Sequence, residues 1–169
     1  MDTTNIKVHF IHGLEGSPSG NKARLFAKHF SAVTPAMNTA DFAGCVAQHA
    51  DALAAAPPDV LIGSSFGGAV AVALLQSGSW TGRTLLLAQA AQRRGLPANV
   101  PARTPIWIAH GRDDTVVPIE DSRQLAKAGD PDWVRLIEVD DDHALHGSTT
   151  NGALLSWIED LAAWAPAHD

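Results

Sequence analysis

Short apolar runs rich in branched residues alternate along this chain with longer Ala-rich segments, and the alternation repeats six times. Runs of this kind, closed by Gly, Pro or Asp and separated by helix-length stretches, predict an α/β protein whose mostly parallel sheet is buried between helices. The predicted strands are 7–11, 32–35, 60–62, 84–88, 106–109 and 135–139. The predicted helices are 22–30, 41–55, 66–76, about 118–128 and about 151–164. Gly78 supplies the left-handed residue that commonly follows a helix, and Pro118 suits a first helical position because its missing N–H has no partner there anyway. In the last helix Leu154, Ile158, Leu161 and Trp164 fall on one side, which reads as core. Segment 89–103, with Arg93, Arg94, Gly95, Pro97 and Pro101, is the longest irregular stretch and is expected to be the most mobile.

Composition narrows the class. A chain of 169 residues fits one domain, 1–169, and can bury roughly 70% of its unfolded surface around one core. Against 18 acidic residues stand 12 basic ones, with no clustered Lys/Arg stripe, so neither nucleic acid nor an anionic membrane surface is an expected partner. The opening MDTTNIKVHF has no positive n-region and no long apolar run, and nothing later reaches the ~18 apolar residues of a membrane span. The expectation is a soluble, cytoplasmic protein. The single cysteine, Cys45, lies among Phe42, Val46 and Leu53 at helical spacing and reads as a small packing residue.

Candidate chemistry sits where predicted strands end. Residues 59–75 read as a buried strand, a Gly-Ser-Ser-Phe-Gly turn and an apolar helix, the arrangement of a nucleophile elbow. Ser65 is central between Gly63 and Gly67, so Ser65 is the candidate nucleophile and Ser64 a turn residue. A serine needs a base to take its proton and a carboxylate to orient that base. The loop after the fifth strand offers Asp113 and Asp114; the loop after the sixth offers His143 and His146. Strand ends on one sheet edge can bring such loops together across the 49 and 29 residues that separate Ser65, Asp114 and His143.

The segment His110-Gly-Arg-Asp-Asp-Thr-Val-Val-Pro118 resembles the His-Gly-x-x-Asp-x-x-Val-Pro signature of α/β-hydrolase fold esterases. The chain order Ser, Asp, His is the order that fold uses. The resemblance marks Asp114 as the acid and leaves Asp113 a solvated or helix-capping residue. It favours His143, within Asp142-His143-Ala144, as the base, with His146 at the start of a helix or lining the pocket. The first strand ends in Phe10-Ile-His-Gly-Leu-Glu-Gly-Ser-Pro-Ser-Gly20, similar to the family's His-Gly oxyanion loop, which implies a backbone donor at Leu14 and a second at Phe66, with His12 pinning the loop. The whole pattern, from about Lys7 to Trp164, most resembles the small lidless bacterial esterases of the YqiA-like kind. Two antiparallel strands that precede the His-Gly strand in the fuller fold are expected to be missing, and segment 89–103 leaves no room for a cap domain.

What the resemblance implies is a carboxylic ester or thioester hydrolase that works through an acyl-enzyme, takes a small-molecule substrate and needs neither cofactor nor metal. The substrate's identity and the oligomeric state stay open. A catalytically silent protein that binds a ligand or partner in the same pocket is the alternative. The run Asp140-Asp-Asp-His-Ala-Leu-His146 also offers metal-binding atoms, but His-x-x-His on a loop is not the helical i, i+4 pair that holds zinc, and no third cluster accompanies it. Gly16-Ser-Pro-Ser-Gly-Asn-Lys22 lacks the spacing of a phosphate loop.

Overall fold

The apolar runs become six strands of one sheet, β1 (Lys7–Ile11), β2 (Ser31–Val33), β3 (Val60–Ser64), β4 (Thr84–Leu87), β5 (Ile106–Gly111) and β6 (Val134–Val139). This computed structural model describes residues 2–167. All neighbouring strands run parallel, in the order β2-β1-β3-β4-β5-β6. Between them lie α1 (Asn21–His29), α2 (Phe42–Ala55), α3 (Phe66–Ser77) and α4 (Ile119–Lys127), and after β6 come α5 (His146–Thr150) and α6 (Ala153–Ala163).

Period-two alternation sends side chains to opposite faces of a strand, so fully buried strands feed two cores. On one face Leu61, Leu86, Ile106 and Ile108 pack with α2, α3 and α4 through Leu53, Val70, Leu74 and Leu125. On the other, Val60, Ile62, Leu85, Leu87 and Trp107 pack with α1 and α6 through Phe26, Leu154, Ile158 and Leu161. The α/β class, the six strands, the helices on both faces and the missing cap all match the sequence reading. Between β4 and β5 there is only a loop with one 3-10 turn, Gln92–Arg94. That loop, expected to be the most mobile, is tied down: Gln92 Nε2 donates to Asp121 O at 2.6 Å, and Gln76 Nε2 donates to Pro97 O and Asn99 O at 2.8 and 2.9 Å. Among the described residues no helix is long and apolar enough to cross a membrane.

Several boundaries differ from the sequence reading, and three of them have a clear local reason. β2 starts at Ser31 because its N–H already bonds Ile6 O at 2.9 Å, and it stops before Pro35, which has no N–H to give a ladder. Pro118 caps α4 instead of beginning it, since its ψ of 135° is extended. The last helix, α6, starts at Ala153 instead of about 151 because Gly152, at φ 85°, is left-handed, and the short α5 before it was not predicted.

One buried polar pair stands apart from the rest of the core. His9 on β1 and His49 on α2 are 2% and 0% exposed, with His9 Nε2 2.8 Å from His49 Nδ1. Burial lowers both imidazoles to about 4, and for His49 the neighbouring His9 and His12 add to it. A base that protonates more readily unfolded than folded withdraws stability as pH falls below its ordinary 6.5 toward 4. Between about pH 7.5 and 5.0 unfolding free energy is therefore expected to drop by about 2 kcal/mol per imidazole. Urea midpoints across that range measure the drop, and a His9→Val/His49→Leu variant is expected to flatten it.

Candidate active site

The strand order reverses direction at β1, whose neighbours are β2 and β3, and parallel α/β sheets open a crevice outside the carboxyl ends at such a point. The ends of β1 and β3 there carry the loops of Gly13 and Ser65. After Gly63 and Ser64 the chain turns sharply into α3, with Ser65 at φ 54° and ψ −112°. For a non-glycine residue this conformation costs about 1–3 kcal/mol, which the surrounding contacts must offset. Ser65 N–H donates to Leu87 O at 2.9 Å, and Ser65 O accepts from Ala69 and Ala90.

Both flanking glycines are required by close approach. A Cβ on Gly63 would lie 2.4 Å from Gly67 O, and one on Gly67 would lie 1.9 Å from Ile11 O. Neither obstacle is a side chain that can swing away. Gly67→Ala is therefore expected to cost more than about 3 kcal/mol, roughly 10 °C in melting temperature at this chain length, which thermal denaturation would measure.

The structure brings three of the predicted side chains into line. His143 Nε2 is 3.0 Å from Ser65 Oγ, and His143 Nδ1 is 2.7 Å from Asp114 Oδ2. A carboxylate can only accept, so Nδ1 carries the imidazole hydrogen and Nε2 is left bare to accept from the serine hydroxyl. The Asp114 side chain is fully buried and its other oxygen accepts from Val116 N and Val117 N, each at 2.8 Å. His143 remains about a quarter exposed, open to the cleft.

The alternatives take other places. Asp113 is exposed, and its backbone N–H donates to Asp141 O. His146 opens α5, is exposed at the cleft, and holds Nδ1 2.6 Å from Asp142 Oδ2. That contact is the main cause holding the Asp142 carboxyl below its ordinary range. Ser64 is the last residue of β3. His12 Nδ1 lies 2.7 Å from Gly13 O, within the loop that also carries Leu14. This loop crosses directly over the elbow: a Cβ on Gly13 would stand 3.2 Å from Ser64 O and 3.4 Å from Ser65 Cβ. Phe66 is the first residue of α3, where a backbone N–H has no partner within the helix. Arg94 lies over its ring, 4.6 Å from the centroid.

Several site residues have roles that the linear reading did not assign. Asp141 accepts from Asp142 N, Gly147 N, Ser148 N and Ser148 Oγ, so it folds the His143 loop onto α5. Burial opposes its ionisation, and these hydrogen bonds outweigh burial and keep its carboxyl below the ordinary value. Lys22 Nζ reaches Ala144 O at 2.6 Å from the opposite wall; burial lowers its ammonium, with Asp142 and Asp141 opposing the shift. Asp140 pairs with Arg112 at 2.7 Å. All three acids of the run 140–142 are thus engaged, and among the described residues no three His, Cys, Asp or Glu side chains are placed to hold a metal ion. Cys45 is buried on α2, its thiol raised by burial, as a packing residue would be.

The cleft over Ser65 and His143 has a volume of about 650 Å³, with Phe10, Leu14, Ala23 and Val116 among its walls. Leu14 and Val116 are 54% and 64% exposed, two of only three large apolar side chains so open among the described residues.

No family model and no curated protein matches the chain. Solved structures do. A protein of the alpha/beta hydrolase superfamily from Xanthomonas campestris pv. campestris superposes with a TM-score of 0.77 at 24% identity, over 94% of this chain and 98% of its own. Mouse alpha/beta hydrolase domain-containing protein 10 gives 0.73 at 18% identity, over 93% and 89%. The esterase domain of a Rhodothermus marinus protein gives 0.66 at 20% identity, over 96% and 87%.

Proposed function

Starting from a chain with the α/β-hydrolase fold, we propose that this protein is a serine hydrolase that cleaves carboxylic esters or thioesters through an acyl-enzyme. The observation that carries the reading is the hydrogen-bonded line Ser65 Oγ, His143, Asp114, with distances of 3.0 and 2.7 Å, at the mouth of an open cleft. His143 Nε2 takes the Ser65 proton as Oγ bonds to the carbonyl carbon. Asp114 holds the imidazole in its tautomer and stabilises the charged ring. The oxyanion is received by the backbone N–H groups of Leu14 and Phe66, the latter at a helix start where the dipole favours negative charge. His143 then gives its proton to the departing alcohol or thiol. Water, deprotonated by the same nitrogen, attacks the acyl carbon, and Oγ leaves with the proton restored.

Apolar walls at Phe10, Leu14 and Val116 suit an acyl chain, and the lack of a cap leaves the leaving group free to extend into solvent. Incubation with a fluorophosphonate and peptide mapping of the adduct tests the reading. One modified residue, Ser65, is expected. An adduct on Ser64, or a folded protein that forms none, removes the assignment, the second result favouring a silent binding protein.

A further inference from the structure

His110, the penultimate residue of β5, lies four residues before Asp114 and is fully buried, yet the chemistry above leaves it without a task. Its ring is gripped on both nitrogens. Nε2 lies 2.9 Å from Val117 O and 3.1 Å from Asp114 Oδ2; Nδ1 lies 2.7 Å from Ser122 Oγ on α4. Beyond Ser122, Gln89 Nε2 stands 3.3 Å from the same hydroxyl, and Gln89 Oε1 accepts from Ala91 N at 2.8 Å. Gln89 and Ser122 are both fully buried.

For a neutral imidazole these contacts fix the positions of the protons. Ala91 N–H can only donate, so the Gln89 amide oxygen faces it and the amide nitrogen donates to Ser122 Oγ. Ser122 keeps its own proton for His110 Nδ1. A carbonyl and a carboxylate oxygen crowd Nε2, and neither can donate, so Nε2 carries the hydrogen, aimed at Val117 O with Asp114 Oδ2 beside it. The opposite tautomer would set a lone pair against two oxygens in a space closed to water.

We propose that His110 is a positioning residue for the reaction: its Nε2–H, kept a donor by Ser122 and Gln89, clamps the Asp114 turn and thereby presents Oδ2 to His143. The clamp acts twice on one residue. Val117 O belongs to the turn whose Val116 and Val117 N–H groups hold Asp114 Oδ1, so anchoring that carbonyl fixes where the carboxylate sits. The ring edge against Oδ2 then leaves His143 Nδ1 as that oxygen's hydrogen-bond donor. The role rests on the serine-hydrolase reading; the tautomer does not.

Two measurements separate them. Nitrogen NMR of the histidine rings in the unmodified protein is expected to show His110 protonated at Nε2 and bare at Nδ1; the reverse pattern overturns the proposal whatever the activity. Ser122→Ala deletes the donor to Nδ1 and is expected to lower kcat on a p-nitrophenyl ester roughly 10- to 100-fold with KM unchanged, the scale of loss when an outer partner of a metal-bound histidine is removed. His110→Leu is expected to lose at least as much, and His110→Gln, which restores an N–H near Nε2, to recover most of it. Should His110→Leu fail to fold, Ser122→Ala and His110→Gln decide. Unchanged kcat in folded Ser122→Ala, or a His110→Gln no better than Leu, overturns the role. Absence of a fluorophosphonate adduct on unmodified protein with the expected tautomer overturns the hydrolase reading, and the role with it, while leaving the ring geometry standing.

Discussion

Ser65→Ala is expected to lower kcat for a short-chain p-nitrophenyl ester by about 10⁶-fold, the scale on which serine proteases lose activity without their nucleophile. The fold should survive. Removing one oxygen leaves Ser65 N–H on Leu87 O and both bonds to Ser65 O intact, since all are made by backbone atoms. Alanine inherits the strained φ of 54° without relief, so melting temperature should move little. The change also tests the proton inventory of the site. With Oγ gone, His143 Nε2 loses its contact but Nδ1 keeps Asp114, so the imidazole stays in place as a base with nothing to activate. Steady-state hydrolysis and circular dichroism on the same sample give both answers, and hydrolysis near the unmodified rate would refute the nucleophile.

Asp114→Asn carries the second-largest effect, a fall of about 10⁴ in kcat, by comparison with loss of the orienting carboxylate in serine proteases. The amide can present N–H or C=O to His143, whereas the carboxylate presents only acceptors. Oδ1 already receives two backbone N–H groups, so the asparagine oxygen goes there and its NH₂ faces His143 Nδ1. The ring must then carry its hydrogen on Nε2, where it can no longer accept from Ser65. The same NH₂ meets His110 Nε2–H at the position where Oδ2 lay 3.1 Å away, a donor against a donor. Asp113→Asn, an exposed neighbour, should leave kcat unchanged. If the two variants exchanged phenotypes, the acid would be Asp113.

Much of the frame could be read from spacing alone, because a parallel sheet leaves clear marks: apolar runs such as Val60-Leu-Ile62 and Thr84-Leu-Leu-Leu87 have no solvent face and therefore no polar alternation. The elbow was readable because its backbone needs glycine at 63 and 67; strand ends on one edge marked the loops of the candidate acid and base, and the resemblance to a family signature picked Asp114 and His143 within them, the two side chains that lie in line with Ser65. What escaped the linear reading were roles made by contact. Nothing in Gln89, Ser122 or Asp141 as residue types says that they meet a histidine or a helix end, since their partners lie on other elements. The start of α6 after Gly152 escaped because a glycine near a helix end can lie inside the helix or outside it, and only the φ of 85° decides. The tight anchoring of segment 89–103 escaped for a similar reason: polar residues in a long connection suggest freedom until Gln92 and Arg93 are seen holding Asp121.

The strand order has one further consequence. β1 and β3, adjacent in the sheet, hold the parts that would meet the acyl carbon, while β5 and β6, also adjacent, hold the parts that would move protons, and β4 lies between the pairs. The loops of Asp114 and His143 are joined by Arg112 N to Val139 O, Asp113 N to Asp141 O and the Arg112–Asp140 pair, so each holds the other in place. The seam between these two halves is bridged by the Ser65–His143 contact and by Lys22 reaching Ala144. The Ser65–His143 distance is therefore set by contacts between the two halves of the sheet, and the His143–Asp114 distance by contacts within one of them.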